Sequence, residues 1–395
     1  MSKIVVIGAG FAGLVSAISC KRNNKENEVV ILEKLSTPGK KILVTGNGRC
    51  NYYNDNQKNR FYHSNNIDFV EGIDNEVERA LNFYNELGIV PYIRDGYYYP
   101  YSKEASSIRE SLLEECNKLG VKIITDYKVN SVTKEDKFRI NNELECDKVI
   151  IATGSPCYYK DEDLTGYEIA KAFGHDIVKL VPSLVQLVCK GDYFKSWAGI
   201  RSEVKASLYI ENEKINEEKG EIMLTDYGIS GICIFNLSGD ASRALSDNLS
   251  VRVSINFLPF ENINVYKFLE ERNMSIKSSL DKILNSKLVD LILNKCNIDS
   301  SKSFVELDDS SKDKLVDNLI DFKVEVIDTK GFSNAQVASG GIDTRNINRD
   351  TMESKLVKGL FFAGEVVDVD AICGGYNITF ATLSGIKAGI GASND

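Results

Sequence analysis

Histidine is scarce in this chain, with only His63 and His175, and no two of its nine cysteines are spaced Cys-x-x-Cys. A zinc-type cluster and the disulfide relay of a dithiol flavoprotein therefore have no residues to build them. The cysteines are scattered and odd in number, and they read as reduced thiols that mostly fill packing positions. Positive charge is also in short supply. Lys and Arg total 48 against 57 Asp and Glu, a formal net charge of −9 with pI near 5.1. That balance removes the basic field a non-specific nucleic-acid binder needs, so no nucleic-acid partner is expected. No apolar run approaches the ~20 residues of a membrane-spanning helix. The opening MSKIVVIGAG lacks the basic start, long apolar centre and cleavage site of a secretory signal. A cytoplasmic protein without membrane association is the expectation.

What is present suits a multidomain globular protein: 395 residues, 43% apolar and 27% charged, enough for two or three domains. Ile4 to Ile7 is a short β-branched run. Gly8-Ala9-Gly10-Phe11-Ala12-Gly13 then opens a segment with helical spacing through Leu14, Ala17 and Ile18, and Val29 to Leu32 makes a second buried strand ending on Glu33-Lys34. This is a βαβ unit. Lys40 to Asn51 reads as a glycine-containing loop. Helices are expected over about 75 to 87 and 102 to 119, with Gly88 and Gly120 as C-terminal caps. From Val121 to Ile140 short strands suggest an antiparallel meander inserted into a parallel sheet, and Asp147 to Ala152 returns as a buried strand ending at Thr153-Gly154.

Between about Ser183 and Lys330 the character changes. VQLVCKG, EVKASLYIE and VRVSINFLPF alternate like strands, and helical stretches follow around 263 to 296 and 309 to 321. The expected division is a discontinuous α/β domain over 1–183 and 331–395, a β-rich insertion over 184–262 and 322–330, and a helical subdomain over 263–321.

In G-x-G-x-x-G the first glycine permits the turn, the second lets a pyrophosphate reach the backbone and the third allows close packing of helix on strand. Gly8, Gly10 and Gly13 occupy these positions between a strand and a helix, and Glu33 follows 20 positions beyond Gly13. A carboxylate there accepts two ribose hydroxyls and repels a 2′-phosphate, so FAD or NAD is favoured over NADP. Toward the other end, Gly359-Leu-Phe-Phe-Ala-Gly364-Glu365 places an acid just after a buried strand, suited to the ribityl chain of a flavin. Non-covalent FAD is therefore the expected cofactor. Cys373-Gly374-Gly375-Tyr376-Asn377 precedes a helix with a small-residue face (Ala381, Ser384, Gly385, Ala388, Gly389), built for close approach. Its first amides, Asn377, Ile378 and Thr379, could stabilise the anion at the N1 and C2 oxygen edge of a reduced flavin.

These residues resemble the BaiN/YhiN-type three-domain bacterial flavoproteins, a family that includes proteins described as aminoacetone oxidases. The likeness spans nearly the whole chain: GAGFAG, GKKILVTGNGRCN (39 to 51), ATGSP (152 to 156), LTDYGISG (224 to 231) and TMESKLVKGLFFAGEVVDVDAICGGYNITFATLSG (351 to 385). The resemblance implies a Rossmann-like FAD domain interrupted by a β-barrel-like domain and a small helical domain. It implies that Gly8, Gly10, Ala12, Glu33 and Lys34 hold the ADP half, with Gly13 completing the motif, and that Val129 meets adenine through its backbone. Arg49, Cys50 and Asn51 would sit near the isoalloxazine, Glu365 would take the ribityl hydroxyls, and Asn377 and Ile378 would meet the pyrimidine edge; Lys41, Thr153, Gly154 and Gly364, within or beside these motifs, are further candidates to line the cofactor. Two departures touch ring or substrate contacts: Ile232 where proline is common after GISG, and Ile378-Thr379 where Leu-Gln is common after GGYN.

Arg49 could set a cation beside the flavin or pair with a surface carboxylate, and Cys50 could be a redox thiol or a buried packing residue. Asp368 and Asp370 read as turn or cap residues rather than catalytic acids, and Tyr227, Tyr376 and His175 are acid or base candidates under the same discount. The sequence names no proton donor. No second G-x-G-x-x-G follows a strand in mid-chain, so either NAD(P)H docks transiently or the substrate is itself the reductant. The leading expectation is an NAD(P)H-driven reductase of an activated carbon–carbon double bond in a small or steroid-like molecule. The alternatives are a flavin-dependent amine oxidase and a flavin-bound sensor or interaction protein.

Overall fold

Lys3–Ile7 (β1) is buried along nearly its whole length, which is the pattern of a strand covered on both faces of a parallel sheet. The chain leaves it through the helix Phe11–Asn23 (α1) and returns as Glu28–Leu32 (β2), with Val5 opposite Val30. After the helix Ala105–Lys118 (α2), the strand Lys122–Ile124 (β3) extends the sheet beyond β2. Lys148–Ile151 (β4) pairs with the other side of β1, and Leu360–Phe362 (β5) pairs with β4. The order is β5-β4-β1-β2-β3, parallel throughout. Chain direction across the sheet reverses between β1 and β4, and the crevice at the carboxyl ends of those strands is where open α/β sheets bind ligands. The terminal helix Tyr376–Ser393 (α3) packs on α1.

The computed structural model describes residues 1–158, 163–261 and 264–394. It divides into two compact units, Met1–Leu180 with Gln336–Asp395, and Val181–Ala335. The boundary expected between residues 262 and 263 lies outside the described residues.

The expected meander needs correcting. Lys122–Ile124 belongs to the parallel sheet, because Ile123 and its neighbours pair in register with Val30 to Leu32. The antiparallel meander begins later and has three strands, Val132–Lys134, Phe138–Ile140 and Leu144–Cys146. The helices Val77–Glu86 and Ala105–Lys118 lie within the expected stretches. Gly88 and Gly120 cap them with φ of +75° and +71°, each followed by an amide that returns to the last turn, Ile89 to Tyr84 and Val121 to Cys116.

In the second unit, six strands close a barrel in the order Leu187–Cys189, Gly228–Ser230, Glu213–Leu224, Arg201–Ile210, Val251–Asn256 and Phe322–Thr329. Val204, Ala206, Leu208, Val253, Ile255, Phe322 and Val324 fill its core by period-two alternation. The two longest of its elements that escape the sequence reading are a strand and a helix. The long strand Glu213–Leu224 (EKINEEKGEIML) is polar over its outer half. The helix Ile232–Ser246 packs Ile234, Leu237 and Ala241 against the barrel. Of the helical part, Val265–Glu270, Ile276–Leu280, Ser286–Cys296 and Asp309–Ile320 are each capped by the side chain of the preceding residue, Asn264, Ser275, Asn285 or Asp308.

Candidate functional site

The βα turn after β1 is built from backbone crowding. Gly8 has φ +102°, and a Cβ there would lie 2.5 Å from the Ala152 carbonyl oxygen. At Gly13 a Cβ would lie 2.0 Å from the Gly8 oxygen. Gly10 is the contrast: a Cβ there would meet nothing within 4 Å. Gly10 begins α1 without a side-chain cap, and the first turn holds no acidic residue, so the opening amides of α1, Ala12 among them, are left for an external anion. Glu33, buried at the end of β2, accepts from the Ala9 amide at 2.7 Å and the Leu35 amide at 2.9 Å. Those two bonds fix its carboxylate beside the turn and leave further lone pairs for hydroxyl donors. Lys34 is engaged with Asp163. Val129 is buried, and its backbone N–H and C=O have no partner among the described residues, a fit for an external ligand with both donor and acceptor.

Three motifs far apart in sequence meet beside this turn. Lys41 Nζ donates to Glu365 Oε2 at 2.8 Å and to Ser155 Oγ at 3.3 Å, while Glu365 Oε1 accepts from the Ala338 amide at 3.1 Å. Gly364, with φ +75°, would carry a Cβ 2.6 Å from that of Ala12, so the loop after β5 lies against the start of α1. The Ser384 hydroxyl accepts from the Gly364 amide at 2.9 Å. Gly154 has φ +73° and open space around its would-be Cβ, and Thr153 packs under Gly166. Ser155, within ATGSP, and Ala338 are site residues that the sequence reading passed over, and Ser384, expected only as part of the small face of α3, proves also to hold the Gly364 amide. The small face of α3 is approached by α1 itself: Cβ atoms at Gly385 and Gly389 would fall 2.9 Å from the Ala12 oxygen and 2.3 Å from the Ser16 oxygen.

At the start of α3 one expectation is corrected. The Thr379 amide donates to the Gly375 oxygen at 2.9 Å and is spent inside the helix. The Asn377 and Ile378 amides precede the first intrahelical donor and stay available. The Asn377 side chain is committed elsewhere, accepting from the Ala371 amide at 2.9 Å and donating to the Ala371 oxygen at 2.8 Å. The Asn51 amide, turned so that its oxygen and nitrogen are both satisfied, likewise donates to the carbonyls of Tyr53 and Tyr98. Arg49 is exposed on a turn held by Cys50 N to Thr45 O and Arg49 N to Gly46 O. It pairs with no carboxylate among the described residues. Cys50 is fully buried, and burial pushes its thiol up to about 12, which makes it a neutral packing residue.

The candidate acids and bases sort by environment. His175 is a core residue: its Nε2 lies 2.8 Å from Ser354 Oγ, its ring stands edge-on to Phe362, and burial holds its pKa below the usual range. Tyr376 is buried with its hydroxyl donating to the Asn56 oxygen, and burial pushes its pKa up to about 12. Asp370 is buried, accepts from Ser339 Oγ at 2.6 Å, and lies 3.6 Å from Nδ1 of the half-exposed His63. Among the described residues no group of three or more metal-ligating side chains forms, and no helix is long and apolar enough to cross a membrane.

A glycine turn open at Gly10, an uncapped helix start, a buried carboxylate at the end of β2 and a second acid after β5 fit the ADP and ribityl parts of FAD. The class so defined is a FAD-dependent oxidoreductase of Rossmann-like fold. The chain belongs to the HI0933-like family, whose HI0933-like protein Rossmann domain matches residues 2–391. It is 33% identical over 406 aligned residues to the 3-dehydro-bile acid delta(4,6)-reductase of Clostridium scindens, covering 100% of this chain and 99% of that protein. It is 28% identical to the ribosomal RNA dihydrouridine synthase of Escherichia coli, covering 96% of this chain and 95% of the relative. Among solved structures, the FrdA chain of Escherichia coli quinol fumarate reductase matches with a TM-score of 0.51 and 15% identity, over 99% of this chain and 70% of that one. That likeness is one of fold.

Proposed function

We propose that this protein uses NAD(P)H, through FAD, to saturate an activated carbon–carbon double bond in a small or steroid-like molecule. The observation that carries the reading is the 33% identity to a double-bond reductase along the full length of both chains. Bound FAD supplies hydride transfer at its N5 position. In this assignment the amides at the start of α1, reached past Gly10, hold the pyrophosphate, Glu33 takes the adenosine ribose, and the Val129 backbone takes adenine. Glu365, oriented by Lys41 and Ala338, takes the ribityl chain, with Thr153 and Gly154 alongside. The Asn377 and Ile378 amides face the pyrimidine edge, and the exposed Arg49, which pairs with no carboxylate among the described residues, stands as a cation nearby.

The names of the relatives span a bile acid and a ribosomal RNA. A net charge of −9 supports the small molecule here, since an RNA substrate calls for a basic surface. A cytoplasmic location accords with NAD(P)H as reductant. The test is anaerobic mixing of the yellow protein with NADH and NADPH, followed by cyclohexenone or testosterone. Rapid bleaching and recovery of the flavin by the enone supports the reductase. Bleaching by amines alone, with peroxide on aeration, would establish an amine oxidase instead, and a flavin that no donor reduces would point to the sensor.

A further inference from the structure

In the unit that carries the cofactor site, Tyr53–Asn54, Tyr97–Pro100 and Pro91–Arg94 form a small antiparallel sheet with two unlike faces. Tyr98 turns toward the core, its ring 5.2 Å from that of Tyr53 and 6.2 Å from that of Tyr52. Alternation along the strand sends Tyr97 and Tyr99 to the other face, where Arg94 stands opposite Tyr97 and Tyr92 opposite Tyr99. Lys103 Nζ covers the Tyr92 ring, 3.9 Å from its centroid. Among the described residues, neither Tyr97 nor Tyr99 has an aromatic ring or a cation stacked on it, and Tyr97 is 38% exposed.

Cations flank these two rings. Burial raises the Tyr99 pKa and Tyr97 adds to the rise, while the Arg49 and Arg94 charges act against it, so both guanidinium groups reach the Tyr99 hydroxyl. Arg94 shares its charge with Asp95, 3.4 Å away; Arg49 pairs with no carboxylate among the described residues. The face also borders the proposed ring site. A Cβ at Gly374 would lie 3.3 Å from the Tyr97 ring, and Asn54 Nδ2 donates to the Gly374 oxygen at 3.2 Å, three residues before Asn377. Open aromatic rings beside guanidinium groups suit a ligand that is both planar and anionic. A neutral enone calls for no cation, whereas NAD(P)H joins planar rings to a pyrophosphate and has no second glycine-rich βαβ unit to receive it in this chain.

We propose that the Tyr97 and Tyr99 face docks NAD(P)H, with a planar ring of the nucleotide stacked on the tyrosines and its pyrophosphate held by Arg49. The proposal rests on the reductase reading above. It is tested by anaerobic mixing of the FAD-loaded protein with NADH or NADPH over a range of concentrations. Tyr97→Ala should raise the half-saturating concentration about tenfold or more, the scale of one stacked base. Calorimetric binding of the tetrahydro form of the same nucleotide, which gives up no hydride, should weaken by the same factor. Tyr99→Ala should behave alike, so the result does not hang on the Gly374 contact, and Tyr97→Phe, which keeps the stacking ring, should bind as wild type does. Arg49→Gln should weaken binding and flatten its dependence on salt. Reduction by dithionite and re-oxidation by cyclohexenone or testosterone bypass the dock, so the loss in Tyr97→Ala should be confined to the NAD(P)H half-reaction.

Wild-type half-saturation in both alanine variants would overturn the dock and leave the reductase reading standing. A slowed enone half-reaction with normal NAD(P)H saturation would give the face to the substrate, and would overturn it too. So would a single-stranded oligoribonucleotide that binds wild type but not Tyr97→Ala while the tetrahydro nucleotide binds neither. If neither NADH nor NADPH bleaches the wild-type flavin, the dock and the reductase reading fall together.

Discussion

A methyl group at Gly10 and one at Gly13 should have opposite consequences. Gly10 has φ −75° and open space where a Cβ would go, so Gly10→Ala should fold with stability within about 1 kcal/mol of wild type, the poorer N-cap preference of Ala being offset by the less flexible unfolded chain. It should nonetheless lose FAD affinity, because that space is where the pyrophosphate meets the backbone. Gly13→Ala forces a Cβ to 2.0 Å from the Gly8 oxygen and should unfold at lower temperature with or without FAD. Thermal melts of the apoproteins together with FAD titrations separate the two cases. At Glu365, Ala removes both a hydroxyl acceptor and the partner of Lys41. FAD retention should drop at least about tenfold, the scale of one charged hydrogen bond, and a variant that stays fully yellow through gel filtration would contradict the assignment. Residue identity alone could not have settled Cys50 or His175, since burial decides both. For His175 the consequence is a pH dependence. Its folded pKa lies below the usual value of about 6.5 because burial disfavours the charged ring, so the unfolded chain binds the proton more readily. This contribution to stability is complete above about pH 6.5 and is lost as the pH falls below it. The gap in urea midpoint between wild type and His175→Gln should therefore narrow from about pH 7.5 to about pH 5.5; a constant gap would show that the ring titrates normally.

At the scale of elements, the site depends on α3 lying almost backbone to backbone on α1. Gly389→Val would drive a side chain into the Ser16 carbonyl, 2.3 Å from its Cβ, and should cost about 1–3 kcal/mol. The change should show as a lower Tm and weaker FAD binding at once, since Gly364 and Glu365 are held against the same helix. Elements whose burial pattern is self-evident were legible in the sequence. β1, β2 and β4 are continuous apolar runs, and Gly88 and Gly120 mark helix ends by needing positive φ. Glu213–Leu224 hid because its outer residues face solvent, and only Glu221 to Leu224 carry the inward alternation. Ile232–Ser246 hid behind Gly239 and an exposed Ile232 at its first position. Lys122–Ile124 was assigned to the wrong sheet because three residues give no preference between parallel and antiparallel partners; its register with β2 does.

At the scale of the whole molecule, the cofactor site draws on one unit formed from both ends of the chain, Met1–Leu180 and Gln336–Asp395. The glycine turn and the late acid were each readable locally. Their meeting through Lys41, Ser155, Glu365 and Ala338 was not, because partners up to 324 positions apart leave no local signal. Nor was the His63–Asp370 pair, whose members strand register sets opposite each other. A titration of apoprotein with FAD, followed by absorbance and flavin fluorescence, tests the central claim most directly. The account predicts saturation at one FAD per chain for wild type, with binding sharply weakened by Glu365→Ala. A folded wild-type apoprotein that stays colourless in excess FAD would contradict it.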